Sequence, residues 1–475
     1  MKYYKSLLAG VCLMAAFSSC DKAVNINETD LIAGPLALKT VTNCEQGVIG
    51  GYAALGTEMD ILLNATLSDE MKKGEFYNAG TTHEWQYTST DVSIRDNFTA
   101  ITPNYQIIDR VNRVLQALPN ADSTKAGDNT LRNRLRGEAL FLRAYAHFEA
   151  FRYYGGPYNP TGLAMPYMEA PSLSYQLRIE MLPYFTKLMA DLTEAKTLVP
   201  NNLTDINRAT KLAVTGLQAR VALYMNNWVA AETFASEYIT AIPLSPIAQF
   251  GGIWTDANTN ELAMRIVRGT SIRIGSLFRG TSANPANIGT ITWLPSDKLW
   301  NSYDQVNDVR FAAYFKTEPL LVAPRPNRLI NKYAGGTYGS SLENVANGKV
   351  FRTGEMYLIR AEARAEQDKF TGANSAESDL NTLRAARING YVPVVLGSKA
   401  QAITEILNER FKELAYEGHR FWDLKRKGFP VVRDASDAPN TNSVTLPAND
   451  FRFLLPIPNS EVQANPIIQQ NPGYF

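Results

Sequence analysis

Residues 131–154 carry apolar side chains on two faces of one helix, and no other stretch limits the fold of this chain so tightly. Ala139, Leu142, Ala146, Ala150 and Tyr153 form a face of mostly small residues, while Phe141, Tyr145, Phe148 and Phe151 form an aromatic one. A helix that is apolar on two sides must be packed on two sides, which a stack of helices provides. Gly155-Gly156-Pro157 ends it. The same period recurs elsewhere. Residues 107–118 place Ile107, Val111, Val114 or Leu115, and Leu118 on one face. Ala213, Leu217, Val221 and Tyr224 line another helix; after Asn226-Asn227 a further one begins near Trp228 with Ala231, Ala235 and Tyr238 facing inward. Residues 354–367 and 376–388 form one more pair, with Asn374 and Glu377 at capping-box spacing and Asn389-Gly390 as the stop. That pair covers about 35 residues, close to the tetratricopeptide period of about 34. The predicted fold class is all-α, a tetratricopeptide-like scaffold of helical pairs.

Long turn-rich insertions interrupt the helices at about 64–100, 155–180, 242–348 and 430–475. Loops of such length in a compact protein usually carry function. They hold Trp85, Trp254, Trp293 and Trp300. Tyr outnumbers Phe, 23 to 20, which suits rings that need one wet edge.

The N-terminus reads as an export signal. Lys2 and Lys5 precede an apolar run at residues 7–17, followed by Ser18-Ser19-Cys20. The run is about eleven residues, short of the roughly 20 that a spanning helix needs. Small residues before a cysteine resemble a lipoprotein cleavage box, although Phe17 stands where Leu is usual. Residues 1–19 are therefore expected to be a lipoprotein signal peptide, Cys20 the lipidated new N-terminus, residues 20–40 a polar tether, and 41–475 the folded domain. Several acyl chains give a stable anchor where one is marginal.

Composition excludes some partners and chemistries. With 47 basic and 46 acidic residues the net charge is +1, so nothing draws the chain to nucleic acid. Once Cys12 leaves with the signal and Cys20 is lipidated, Cys44 is the remaining cysteine, and no internal disulfide is expected. His83, His147 and His419 are scattered singly, so no metal or cofactor is expected. Asp256, Asn258 and Asn260 copy the first ligands of a calcium loop, but Glu261 replaces its glycine and Val267 its final glutamate; the segment reads as a polar turn. No serine elbow, zinc-protease or phosphate-loop motif occurs.

Three segments then resemble one family. They are RGEALFLRAYAHFEAFRYYGGP at 136–157, GEMYLIRAEARAEQ with DLNTLRAAR at 354–367 and 379–387, and ILNERFKELAYEGHRFWDLKR at 406–426 trailed by LLPIPNSEVQANPIIQQNPGY at 454–474. With the lipoprotein signal and the NDVR segment at 307–310, they are similar in kind and order to the SusD/RagB family of outer-membrane nutrient-binding lipoproteins. The resemblance implies a SusD-like helical scaffold lipid-anchored at the outer membrane and facing outward. It also implies a partner, a SusC-like TonB-dependent transporter over which the lipoprotein acts as a lid. The motifs themselves read as architecture: Glu409, Glu413 and Glu417 recur every four residues with Arg410 and Arg420 nearby, predicting ion pairs along one helix face. The prolines of LLPIP predict an extended strap.

The expected function is non-catalytic capture of oligosaccharide for import, with affinity between about micromolar and millimolar. A peptide receptor of the same family and a surface glycosidase remain as alternatives, since a glycosidase needs only two suitably spaced carboxylates. A sugar offers apolar C–H faces and a rim of hydroxyls, so its receptor needs aromatic platforms beside polar side chains. By residue type and loop placement, the candidates are Trp85, Trp293 and Trp300 as platforms, with Asn78, Arg95 and Asp304 as hydrogen-bonding groups, on one face built by the 64–100 and 242–348 insertions.

Overall fold

The computed structural model describes residues 37–474 apart from 57 and 77–79. Its scaffold consists of helices α1 (Val41–Ala53), α2 (Glu58–Leu67), α3 (Ile101–Ala117), α4 (Asp128–Tyr154), α5 (Met181–Leu198), α6 (Lys211–Tyr224), α7 (Trp228–Ala241), α8 (Thr353–Glu366), α9 (Ala376–Ala385), α10 (Lys399–Glu413) and α11 (Arg420–Lys427). Neighbours in sequence are neighbours in space: α3 packs on α4, α4 on α5, α6 on α7, and α8 on α7, α9 and α10. This is the all-α arrangement of stacked helical pairs that the apolar period predicts. Strands occur among the described residues as four two-stranded antiparallel pairs: β1 (Met71–Lys73) with β3 (Trp293–Pro295), β2 (Leu262–Ile266) with β6 (Gly348–Arg352), β4 (Phe315–Thr317) with β5 (Arg328–Ile330), and β7 (Val431–Val432) with β8 (Thr445–Leu446).

Helix α4 is the spine. Every residue from Gly137 to Tyr154 is buried, so both faces are covered as the two-sided pattern requires. A side chain at Gly137 would meet Leu198 Cβ at 2.8 Å and Val199 Cγ1 at 2.9 Å; the missing Cβ is what lets α5 approach so closely. In α7 the buried positions are Ala231, Ala235 and Tyr238, the three the sequence points inward. The capping box before α9 differs from expectation by one position. Ser375 and Ser378 make it, because Asn374 is in the left-handed region (φ 54°) and cannot serve as an extended N-cap. That helix ends at Ala385, ahead of Asn389-Gly390.

Apart from the main helical core, a second buried cluster is strongly aromatic: Phe250, Trp254, Phe278, Trp293, Trp300, Tyr303, Tyr314, Phe315, Tyr333 and Tyr416. Most of it comes from 242–348. A long segment with few regular elements has no repeating apolar face to bury, so it stabilises itself by large rings that each remove much area from water.

Buried ion pairs tie this cluster to the C-terminal helices. Arg310 reaches Glu409 (2.6 Å) and Glu413 (3.1 Å); Arg352 reaches Glu413 (2.9 Å) and Glu417 (2.6 Å); Arg387 joins Glu261 (2.8 Å) to Glu413 (3.0 Å). The expected pairing along one helix face is thus corrected. α10 stops at Glu413, Tyr416 turns left-handed (φ 59°), and the glutamates take partners from other elements; Arg410 pairs with Asp423 and Arg420 with Asp69. Burial alone would raise the Glu413 carboxyl, but Arg387, Arg352 and Arg310 outweigh it and hold it far below the ordinary carboxylate range.

The tail crosses this scaffold. Leu455 N–H donates to Tyr153 O (3.1 Å), and LLPIP runs extended into a short helix, Asn459–Ala464. The buried Arg178 guanidinium fixes the far end by donating to Ala164 O, Tyr154 O, Gln469 O and Asn471 Oδ1.

Candidate functional site

A cavity of about 1030 Å³ opens on the surface of the 242–348 segment. Four pieces frame it. The short helix Phe250–Trp254 supplies Gly251 and Trp254. The helix Val309–Tyr314 turns Val309, Ala312 and Ala313 toward the cavity, positions three and four apart, while Arg310 and Tyr314 on the other side are buried. Strand β4 (Phe315–Thr317) pairs with β5 (Arg328–Ile330), and alternation along it sends Phe315 into the aromatic cluster and Lys316 to the wall. Finally, the turn after β5 brings Asn331, Gly335, Gly336, Thr337 and Tyr338. Gly335 is left-handed (φ 64°), and a Cβ there would meet the carbonyls of Leu342 and Val345 at 2.4 Å, so the turn needs glycine.

The wall is held from behind. Asp308 caps the Val309–Tyr314 helix and binds Arg310 at 2.8 Å, and Arg310 is clamped to Glu409 and Glu413. Val309 N–H donates to Arg387 O (2.9 Å) and Asn389 N–H to Asn307 O (3.0 Å), which brings Asn389 to the rim beside Gln305 and Val306. Gln305, Asn331, Thr337 and Asn389 offer amide and hydroxyl groups, while alanines and glycines leave room beside them. Tyr338 hydroxyl donates to Glu318 Oε2 (2.6 Å), and Lys316 Nζ lies 2.7 Å from the same oxygen. Burial would raise Glu318, but its bonds from Lys316, Tyr338 and Leu320 outweigh that and lower it.

The three expected platforms are buried, and none lines this cavity. Trp85 is 2% exposed; its Nε1 donates to Leu67 O (2.9 Å), and Arg433 covers its face at 4.0 Å. Trp293, 1% exposed, sits on β3 (Trp293–Pro295) edge-on to His83 at 5.1 Å. Trp300 is boxed by Phe311 (4.8 Å) and Phe315 (5.5 Å) beneath Arg328. A ring whose faces are already covered has none left for a sugar. Arg95 is exposed but spends its guanidinium on Asp96 at 2.6 Å, away from the cavity. Asp304 is exposed next to the lining residue Gln305, and its carboxylate accepts from Val306 N–H, Asn307 N–H and Asn307 Nδ2, which makes it a turn cap. Asn78 and Cys20 lie outside the described residues. The 64–100 segment contributes no lining residue among those described.

Tyr338, Asn331, Gln305 and Asn389 were not singled out from sequence. The available signal was Gly335-Gly336-Thr337-Tyr338-Gly339, a ring among small residues deep in a long insertion. Asp256 behaves as a polar turn: its carboxylate accepts from Lys349 Nζ (2.9 Å) and Asn347 N–H (2.9 Å).

Residues 323–474 match the model of the SusD family, and residues 39–223 match the one described as "Starch-binding associating with outer membrane". SusD-like protein P25 of Formosa agariphila is 23% identical, covering 99% of each chain. A SusD superfamily protein of Bacteroides vulgatus superposes with a TM-score of 0.78 at 23% identity, over 92% of this chain and 100% of that one. Surface glycan-binding protein A from Bacteroides fluxus does so with a TM-score of 0.70 at 20% identity, over 91% and 99%. At these identities the superpositions establish the shared fold.

Proposed function

This chain belongs to the SusD family, and on that premise we propose that it captures oligosaccharides at the cell surface and hands them to a TonB-dependent outer-membrane transporter without cleaving them. The observation that carries the reading is the cleft. It is large enough for several sugar rings, presents amide and hydroxyl groups with small residues between them, and is braced by the buried network. The description of the matched family as starch-binding at the outer membrane, and the name of the Bacteroides fluxus relative, point the same way. Among the described residues no helix is long and apolar enough to cross a membrane. Lipidation of Cys20 would supply the attachment that such a receptor needs.

A binding role suits the wall better than hydrolysis does. Glycosidases set two free carboxyl groups about 5–9.5 Å apart. Asp308, the carboxylate on this wall, is buried and held at both oxygens by Arg310. The test is calorimetry of glycan-array hits with Asn331→Ala, Gln305→Ala and Tyr338→Ala proteins of normal melting. Each lost hydrogen bond is expected to cost about 0.5–1.5 kcal/mol, a fall in affinity of roughly two- to tenfold. Three variants that bind like the parent would remove the site from this cleft.

A further inference from the structure

The charged groups on the cleft wall point to the kind of sugar it takes. Among the described residues, two charged side chains line it, Lys316 and Asp308, and neither is available to a ligand as a net charge. Asp308 is 2% exposed and bound by Arg310. Lys316 has a side chain 41% exposed at the wall, but Glu318, whose side chain is 2% exposed, lies behind it at 2.7 Å. Glu318 cannot easily turn away, because Tyr338 hydroxyl (2.6 Å) and Leu320 N–H (3.0 Å) fix its two oxygens. Arg279, packed on the Tyr338 ring at 4.8 Å, is itself paired with buried Glu343.

We propose that this cleft selects uncharged oligosaccharides, and that Glu318 determines the choice by neutralising Lys316. An incoming carboxylate or sulfate would meet Lys316 with a fixed anion just behind it, so attraction and repulsion nearly cancel while the ligand still loses its own hydration. A hydroxyl-rich neutral sugar loses far less and finds matching partners in Asn331, Gln305, Thr337 and Asn389. The inference rests on the carbohydrate reading above and names the ligand class within it.

The experiment uses the chain from residue 21 onward on a glycan array that includes neutral, uronate-bearing and sulfated oligosaccharides, followed by calorimetry in low and high salt. Uncharged hits are expected, with affinity changing less than about twofold between roughly 50 and 500 mM NaCl. Glu318→Gln exposes the Lys316 charge and should gain at least about fivefold in affinity for hexagalacturonate at low salt, a gain that high salt abolishes. The double variant Lys316→Gln with Glu318→Gln restores an uncharged wall and should lose the gain. Lys316→Gln alone should keep the uncharged hits. Wild-type hits that are uronates or sulfates, weaken with salt and vanish in Lys316→Gln would overturn the proposal. A folded Glu318→Gln protein that gains nothing would overturn the role of Glu318. An array with no carbohydrate hit of any class would instead defeat the carbohydrate reading itself.

Discussion

Replacing Glu70 with glutamine should stabilise this protein, by an amount that grows as the pH rises from about 4.5 to about 8. Glu70 is fully buried at the end of the segment linking α2 to β1 (Met71–Lys73); Oε1 accepts from Tyr416 N–H at 3.0 Å, and Oε2 has no hydrogen-bond partner. Burial pushes its carboxyl up against the pull of the Tyr416 N–H, the anionic neighbour Asp69 pushes further, and the group titrates at about 8. The sign follows from linkage. At pH 4 both folded and unfolded chains hold the proton, so stability is intact; above the ordinary glutamate value of about 4.3 the unfolded chain ionises while the folded one does not, and stability falls until about pH 8. At about 1.4 kcal/mol per unit over that window, the wild type gives up on the order of 3 to 5 kcal/mol. Glutamine, like the protonated acid, is neutral and carries donors, so Glu70→Gln keeps the native interactions and does not titrate. Urea unfolding followed by fluorescence should give nearly equal midpoints for the two proteins at pH 4.5. At pH 8.5 the variant should be the more resistant. If the difference between them does not change with pH, Glu70 is ionised in the folded protein and the reasoning fails.

Three further outcomes are expected. Glu413→Gln leaves Arg310, Arg352 and Arg387 facing a neutral group in the interior, and should cost about 3–5 kcal/mol in urea unfolding; an unchanged midpoint would show that the network is not holding the cleft. Trp85→Ala should cost a similar amount, about 3–5 kcal/mol, with glycan affinity of the remaining folded protein unaltered. Normal melting with lost binding would return Trp85 to the site. Cys20→Ala should move the protein from the membrane fraction to the soluble one on cell fractionation, and persistence in the membrane would refute lipid attachment there.

The helical scaffold was legible because its helices bury periodic faces; the pattern in α4 and the inward triad of α7 are properties of local spacing. The capping box lies one residue beyond the position the spacing predicts, since Asn374 and Ser375 are both good caps by type and only the backbone angle separates them. The ion pairs of Glu409, Glu413 and Glu417 leave the helix face their spacing suggests because α10 ends at Glu413, a boundary that spacing does not show. The three tryptophans expected as platforms are buried for a physical reason. An insertion without periodicity gives no sign of which rings face in, and the largest ones were used as its core. What reached the cleft instead were small and amide side chains, whose types are too common to stand out.

Several of the buried cations join residues from opposite ends of the chain. Arg433 donates to Thr66 O and Ser68 O, Arg420 binds Asp69, and Arg178 binds Asn471. Each of these contacts spans most of the sequence or waits for its last residues, so the interior cannot close until nearly the whole polypeptide is present. Contacts so distant in sequence slow the search for the native state. For a chain exported as proposed, that delay would be an advantage: an emerging fragment without its final segment cannot lock into a compact form and stall on the way.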